Sequence, residues 1–180
     1  MTSTSEAPDL RYPIGKRVAP ASFTPELRAS NLKIIDETPA KLRRAVAGLT
    51  DAQLDTPYRP GGWTVRQRVH HVADSHMNAY IRTRLALTED NPPVKPYDEA
   101  KWAELPDAKT MPIEGSLNII EALHARWVHL IRSLTTQDLG RTMFHPEHGK
   151  ITIDALLAIY AWHGPHHTAH VTELRKRSGF

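Results

Sequence analysis

Four long stretches of the chain carry apolar residues at the three- and four-residue spacing of an amphipathic helix. They cover residues 25–49, 65–89, 115–134 and 153–178, with loops between them. The alternating pattern of a half-buried strand is almost absent, and no succession of strand and helix patterns indicates a parallel sheet. We therefore predict an all-α four-helix bundle, whose long second and third connections leave room for crossover connections.

Capping residues indicate where the predicted helices begin and end. Thr24 precedes Pro25, a pair suited to the cap and first position of the first helix, and Thr64 precedes the second helix. Pro39 interrupts the first stretch, so we expect a kink there or two consecutive helices. Gly179 follows the last stretch as its stop.

The length and composition of the chain predict one domain. A chain of 180 residues is long enough for one full core, and no shift in composition indicates a second. Prolines spread through residues 1–22 predict an irregular lead-in to a domain that covers 1–180. The N-terminus has no hydrophobic signal-peptide core, and no apolar run approaches the ~18 residues of a membrane span. We expect a cytoplasmic protein that does not contact membranes.

Two features of the composition narrow the chemistry. The chain has no cysteine, which excludes disulfides, thiolate metal ligands and a cysteine nucleophile. A metal site would therefore be built from His, Asp, Glu and water. Lys and Arg exceed Asp and Glu by only three, and the one basic run, 175–177, lies where the last helix ends and suits its dipole. We expect no nucleic-acid partner.

Seven of the eleven histidines fall in two short windows, 70–76 and 163–170. On a helix, His163 and His167 share one face, with Cβ atoms roughly 5–6 Å apart, so both rings can reach one metal ion. Both fall inside the apolar stripe of the last helix, where an unsatisfied polar group costs roughly 1–3 kcal/mol. A bound metal meets that need, and two core histidines hydrogen-bonded to carbonyl groups are the alternative.

The second window does not identify its ligand by periodicity alone. His76 lies on the apolar stripe of the second helix, so periodicity favours it as the inward histidine. His71 lies off the stripe and could bind metal only if its side of the helix borders the last helix or a cleft. We expect His70 at the surface or behind the ligands, and Asp74 is a candidate for orienting a ligand imidazole.

Ordered motifs along the chain resemble those of the DinB-like superfamily, within its YfiT-type branch. Members of that branch carry the name metal-dependent hydrolase and have been linked to bacillithiol S-transferase activity. The resemblance covers nearly the whole chain. The motifs are Tyr12-Pro13-Ile14-Gly15, the Gly-Gly-Trp-Thr-Val-Arg-Gln run at 61–67, the histidine window at 70–78, residues 96–99, residues 124–127, and the run from Tyr160 to His170.

The resemblance implies a four-helix bundle with one divalent metal held by three histidines, which in this chain are His71, His163 and His167. On the second helix the resemblance implies His71 as the ligand, whereas periodicity favours His76. We follow the resemblance and keep His76 as the alternative. Zinc is the expected metal, and nickel, cobalt, iron or manganese can use the same ligands. Pro165 between the last two ligands predicts a local distortion of the helix. Family members often form dimers, so the resemblance also implies a homodimer.

Three neutral imidazoles leave coordination positions open, which is typical of a reactive site. The resemblance implies a metal-dependent S-transferase whose partners are a small-molecule thiol and an electrophile. Two alternatives stay open: a metal-dependent hydrolase of a small ester or amide, and a non-enzymatic bundle with a structural metal.

The sequence does not assign a catalytic residue or a general base. The candidates for holding an anionic substrate are Arg82, Arg126 and Tyr80. The aromatic residues that we expect to pack in the core are Trp63, Trp127 and Trp162.

Overall fold

The computed structural model describes residues 9–180, in which helices dominate. The elements are α1 (Pro25–Val46), α2 (Asp51–Leu54), α3 (Val65–Thr88), α4 (Glu99–Ala103), α5 (Pro106–Thr110), α6 (Glu114–Arg132), α7 (Thr136–Leu139), β1 (Thr142–His145), β2 (Gly149–Thr152) and α8 (Ile153–Ser178). The predicted four-helix bundle is confirmed, since α1, α3, α6 and α8 are its long helices. Residues 9–24 form no helix or strand, whereas residues 1–8 of the expected lead-in lie outside the described residues.

The order of helices around the bundle requires crossovers. Helix α1 packs against α6 and α8, and α3 packs against the same two helices. Helices α1 and α3 are therefore diagonal, as are α6 and α8, so the connections 47–64 and 133–152 cross the end of the bundle. The connection 89–113 joins neighbours instead, and within it α4 and α5 pack on α3.

Local chemistry explains the ends of the long helices. The side chains of Thr24 and Thr64 accept hydrogen bonds from the backbone three residues on, as the capping pattern predicts. Gly179 ends α8 with a φ of 70°, a left-handed conformation that glycine adopts without strain. Helix α1 continues through Pro39 without a break. Proline has no backbone N–H, so the carbonyl of Ile35, one turn earlier, is left without its usual helical donor.

The core fills the space between the four long helices. Trp127 of α6 is fully buried, as expected, and its indole N–H donates to Thr83 of α3 at 3.2 Å. The antiparallel hairpin β1–β2 covers one end of this core, with Met143 pointing inward. Within residues 9–180, no helix is long and apolar enough to cross a membrane.

Candidate metal centre

Helices α3 and α8 bring three of the predicted site residues together. His71 lies on α3, and His163 and His167 lie one turn apart on α8. One ligand atom from each ring lies within 4.8 Å of the other two. The Nε2 atoms of His71 and His163 are 3.3 Å apart, which is about the separation of two nitrogens held at 2.0–2.1 Å in a tetrahedral site. The three rings therefore fit a divalent metal ion.

Burial keeps these imidazoles in the form that binds metal. Burial lowers the pKa of His71 to about 3, with smaller contributions from Arg68 and His166. Burial also lowers the pKa values of His163 and His167 well below the ordinary value. Neutral rings each offer one nitrogen lone pair, so these three form a donor set at neutral pH.

A close approach of α8 to α1 positions the two ligands of α8. Gly164 lies directly after His163, and a Cβ atom at this position would lie 2.6 Å from Cγ2 of the buried Thr38 on α1. Only glycine fits at that separation without a shift of Thr38 or of the helix. Helix α8 continues through Pro165 as one helix, so the proline does not separate His163 from His167.

His76 lies behind the three rings. It is fully buried, as periodicity predicts, but its Nε2 lies 3.2 Å from Nδ1 of His163, on the opposite side of that ring from His71. His71 reaches α8 because α3 packs against both α6 and α8 and so has more than one buried face. Periodicity identifies one apolar stripe on a helix, so it could not predict that α3 has a second buried face.

Two expectations for the neighbours of the site are wrong. His70 is buried rather than at the surface, and its ring nitrogens lie 2.8 Å from Ser116 Oγ and 3.2 Å from the Met111 carbonyl oxygen. Asp74 makes no hydrogen bond with a histidine anywhere in residues 9–180. Burial, with a contribution from Asp107, raises the pKa of Asp74 to about 6.

Arg68 is a neighbour of the site that sequence reasoning missed. Its Nη1 donates to Nδ1 of His167 at 2.6 Å, and its guanidinium lies 3.7 Å from the centre of the Tyr58 ring. It is only 5% exposed, and burial lowers its pKa to about 10. No carboxylate in the described part of the chain pairs with it. A metal ion at His167 would therefore compete with a buried cation.

A cavity of ≈180 Å³ reaches the site from the hairpin side, and His163 forms part of its wall. Its wall combines six apolar residues with polar side chains, among them Arg82, Tyr97, Glu99 and three residues of the hairpin, His145, Glu147 and His148. The hydroxyl of Tyr97 is buried with no hydrogen-bond partner within residues 9–180. Burial raises the pKa of Glu99. The cavity thus offers a cation, a hydroxyl and a carboxyl group beside the histidines.

The other candidates for substrate binding lie elsewhere. Arg126 and Tyr80 border a separate surface depression, with the guanidinium 5.6 Å from the ring centre. Of the three candidates only Arg82 lines the cavity. The tryptophans also differ in position, because Trp63 lies 4.9 Å from the His71 ring and Trp162 stacks 4.1 Å from His166.

A second group of ligand-type side chains lies in the hairpin. His145, Glu147 and His148 also bring one ligand atom each within 4.8 Å of one another. Nδ1 of His145 accepts a hydrogen bond from the backbone N–H of Glu147 at 3.2 Å, and the other two side chains are exposed. We call this group the hairpin cluster. Sequence reasoning did not single out this cluster, because three polar residues in a turn are usually just solvated.

Comparison with known proteins agrees with this architecture. A protein of Bacillus cereus (strain 03BB102) named "Putative metal-dependent hydrolase" is 56% identical over 169 residues, which cover 94% of this chain and 97% of the relative. A protein of the same name from Bacillus anthracis (strain A0248) is 55% identical over the same shares. YfiT from Bacillus subtilis, described as "a probable metal-dependent hydrolase with an unusual four-helix bundle topology", matches with a TM-score of 0.92 and 50% identity over 95% of this chain and 98% of YfiT.

The family assignment rests on more than these pairwise matches. A family described as the DinB superfamily matches residues 34–171, which include every residue of the proposed triad. The match in fold, the identity over almost the whole chain and the ordered histidine motifs agree with one another. The chain therefore belongs to the DinB superfamily, within its YfiT-type branch.

Proposed function

We propose that this protein is a metal-dependent enzyme that transfers a small-molecule thiol onto an electrophile, with one divalent ion held by His71, His163 and His167. One observation supports the proposal above the others. Three neutral imidazoles converge where a cavity from the surface ends at His163. A structural metal site is closed by its protein ligands, whereas three ligands beside a cavity leave room for a reactant.

When bound, the ion lowers the pKa of a nucleophile that reaches it, whether thiol or water. Zinc is the metal we expect, because three imidazoles suit it well and it favours few ligands.

The residues of the cavity supply the rest of the chemistry. Arg82 can hold an anionic group of a substrate, since within residues 9–180 only its Nη2 is hydrogen-bonded, donating to the Lys95 carbonyl oxygen at 2.9 Å. Tyr97 can donate a hydrogen bond from its unpartnered hydroxyl. Glu99 is the carboxyl group that can accept the proton released by the nucleophile, because its raised pKa brings it closer to neutral pH.

The apolar part of the cavity wall suits a thiol as the nucleophile. Val94, Met143, Leu156 and Ile159 give that part of the wall a surface that fits a sulfur atom and an alkyl electrophile. The resemblance to a branch linked with bacillithiol transfer supports the same nucleophile. Hydrolysis is the second candidate, supported by the names of the relatives and by the carboxyl group of Glu99 in the cavity.

The test measures both reactions on the same zinc-loaded preparation. With monochlorobimane, transfer forms a carbon–sulfur bond and releases chloride, so the fluorescent adduct reports the rate with bacillithiol, mycothiol, glutathione or cysteine. We expect at least one thiol to react faster than in the absence of enzyme. The His163→Ala variant should lose this activity, and the Arg126→Gln variant, outside the cavity, should keep it.

The two alternatives give different results. Hydrolysis of small esters without thiol, lost in His163→Ala, would support the hydrolase instead. Loss of the folded state on chelation, with neither activity, would leave a structural metal. No adduct with any of the four thiols would overturn the transferase proposal.

A further inference from the structure

Three histidines form a row of hydrogen bonds that leads away from the proposed metal centre. Nδ1 of His163 lies 3.2 Å from Nε2 of His76, and Nδ1 of His76 lies 2.7 Å from Nε2 of His124. Nδ1 of His124 lies 2.7 Å from the carbonyl oxygen of Ile35. These residues belong in turn to α8, α3, α6 and α1, so the row connects all four long helices.

The far end of the row sets its direction. A carbonyl oxygen can only accept, so Nδ1 of His124 carries a proton and donates it to Ile35. This oxygen is free for that bond because Pro39, four residues further along α1, has no N–H to offer it. Pro39, at which the sequence predicts a kink or two consecutive helices, therefore frees the carbonyl oxygen that accepts the last hydrogen bond of the row.

The positions of the other protons follow ring by ring. A neutral imidazole has one donor and one acceptor nitrogen, so Nε2 of His124 accepts and Nδ1 of His76 donates to it. Nε2 of His76 then accepts, and Nδ1 of His163 donates to it. The remaining nitrogen of His163, Nε2, keeps its lone pair, and its neighbours are Nε2 of His71 at 3.3 Å and the hydroxyl oxygen of Ser75 at 3.5 Å.

The row must be neutral for this assignment to hold, and its surroundings require that. His76 and His124 are almost completely buried, and no carboxylate hydrogen-bonds to any of the three rings within residues 9–180. A charged ring here would be an unpaired buried ion, with a penalty of several kcal/mol. The reverse order of protons needs such a charge on His124, so it is disfavoured.

We propose that His76 and His124 are positioning residues that hold His163 as its Nδ1–H tautomer, so that the Nε2 lone pair faces the metal position before any metal binds. The inference rests on the proposed function, since it assigns a role toward the same ion. Free imidazole groups in water favour the other tautomer, with the proton on Nε2. Without the row, His163 would have to exchange its proton between nitrogens before it could bind.

Breaking the row should weaken metal binding without removing a ligand. Loss of the outer partners of metal-bound histidines typically lowers metal affinity by about 10–100-fold. We expect His124→Phe, which removes both ring nitrogens but fills the site with an aromatic ring, to lower zinc affinity within that range. His129→Phe, at an exposed position on the same helix, is the matched control and should bind zinc like the wild-type protein.

The decisive measurement is made on the metal-free protein. Two-bond proton–nitrogen correlation spectra of ¹⁵N-histidine-labelled protein show which ring nitrogen carries the proton. We expect His163, His76 and His124 to be Nδ1–H tautomers in the wild-type protein, and His163 to show a mixture or the Nε2–H form in His124→Phe. A wild-type His163 with its proton on Nε2 would overturn the inference, even if His124→Phe fails to fold.

Two measurements distinguish a failure of this inference from a failure of the proposed metal centre. If His163→Ala binds zinc as tightly as the wild-type protein, the three-histidine centre is wrong whatever the tautomers are. If His163→Ala loses zinc but wild-type His163 is an Nε2–H tautomer, the centre is correct and the positioning role is wrong.

Discussion

The protein brings ligand-type side chains together twice, in the triad of His71, His163 and His167 and in the hairpin cluster. Both groups contribute to the wall of one cavity, the triad through His163, but they are built differently. The triad joins two helices distant in sequence, whereas the hairpin cluster spans four consecutive residues. The triad is enclosed, and its central ring is hydrogen-bonded to His76. Two members of the hairpin cluster are exposed, and its one buried histidine is hydrogen-bonded to the turn backbone instead.

Proximity alone therefore does not make a metal site. In the hairpin cluster the backbone N–H of Glu147 donates to Nδ1 of His145, so a neutral His145 carries its proton on the other nitrogen. In the triad the row behind His163 leaves the inward nitrogen free. His163 and His145 therefore differ in whether the ring nitrogen at the hydrogen bond donates or accepts, whereas His167 of the triad resembles His145, because Arg68 donates to its Nδ1.

The largest effect we expect is on stability at acid pH. Burial lowers the pKa values of His76, His163 and His167 well below 6.5, that of His71 to about 3 and that of His124 to about 4. The unfolded chain therefore binds more protons than the folded chain below pH 6.5. Each such histidine contributes stability that is present above pH 6.5 and is lost, by about 1.4 kcal/mol per pH unit, as the pH falls toward its own lowered pKa, which is about 3 for His71 and about 4 for His124.

Urea unfolding of the metal-free protein at pH 7.5, 6.5, 5.5 and 4.5 measures this loss. The free energy of unfolding should fall steeply below pH 6.5. The variant His145→Gln/His148→Gln should follow nearly the same curve, because the hairpin cluster is close to the surface. A wild-type stability that stays constant down to pH 4.5 would show that the buried rings are not neutral.

The second effect is on metal content. His163→Ala should lose zinc affinity by roughly a thousandfold, about 4 kcal/mol, because one of three ligands is gone. His71→Ala should behave similarly, and His145→Ala should keep one equivalent of zinc per chain. Elemental analysis after dialysis, followed by competition with a chromophoric chelator, measures both quantities. Zinc retained by His71→Ala but lost by His76→Ala would mean that the ligand on α3 is His76, as periodicity predicts, and not His71.

The sequence predicted the fold well because its signals are local. Apolar spacing located the four long helices, and Thr24, Thr64 and Gly179 marked their ends within a residue or two. At Pro39 it predicted a kink or two consecutive helices, and the second of these is wrong, since α1 continues as one helix. The carbonyl oxygen of Ile35, which Pro39 leaves without its helical donor, is hydrogen-bonded instead by His124, which is distant in sequence.

The candidate site shows where sequence reasoning ends. The spacing of His163 and His167 predicted a shared face, since both lie on one helix. The partner on α3 could not be chosen, because the order of helices around the bundle decides whether His71 or His76 faces α8. Arg68 gave no signal at all, since an arginine in a helix is ordinarily at the surface and its contact with His167 exists only in the folded chain.

A smaller effect on stability tests how tightly the backbone is packed beside the triad and in the hairpin cluster. Gly164→Ala should destabilise the protein by about 1–3 kcal/mol, because the new Cβ would overlap Thr38. Thr38→Ala/Gly164→Ala should recover most of that loss, since the atoms in closest contact are then gone. Gly149→Ala, in the hairpin, should cost only about 1 kcal/mol, from its φ of 69° with no contact within 4 Å. Thermal unfolding compares the three variants with the wild-type protein. Equal losses in Gly164→Ala and Gly149→Ala, with no recovery in the double variant, would contradict tight packing at Gly164.

The smallest effect concerns the one neighbour of the triad that opposes metal binding. Arg68 places an unpaired buried cation against Nδ1 of His167, so a metal ion gains a competing charge as well as a competing hydrogen bond. Arg68→Met keeps the apolar stem that lies on Tyr58 and removes the charge. Zinc affinity should rise by roughly tenfold, about 1.4 kcal/mol, since like charges repel more strongly where water is excluded. Arg66→Met, whose guanidinium is paired with Asp51 and Asp55, serves as the control and should not tighten zinc binding. Weaker zinc binding in Arg68→Met would contradict this expectation and would mean that the guanidinium supports the His167 ring as a ligand.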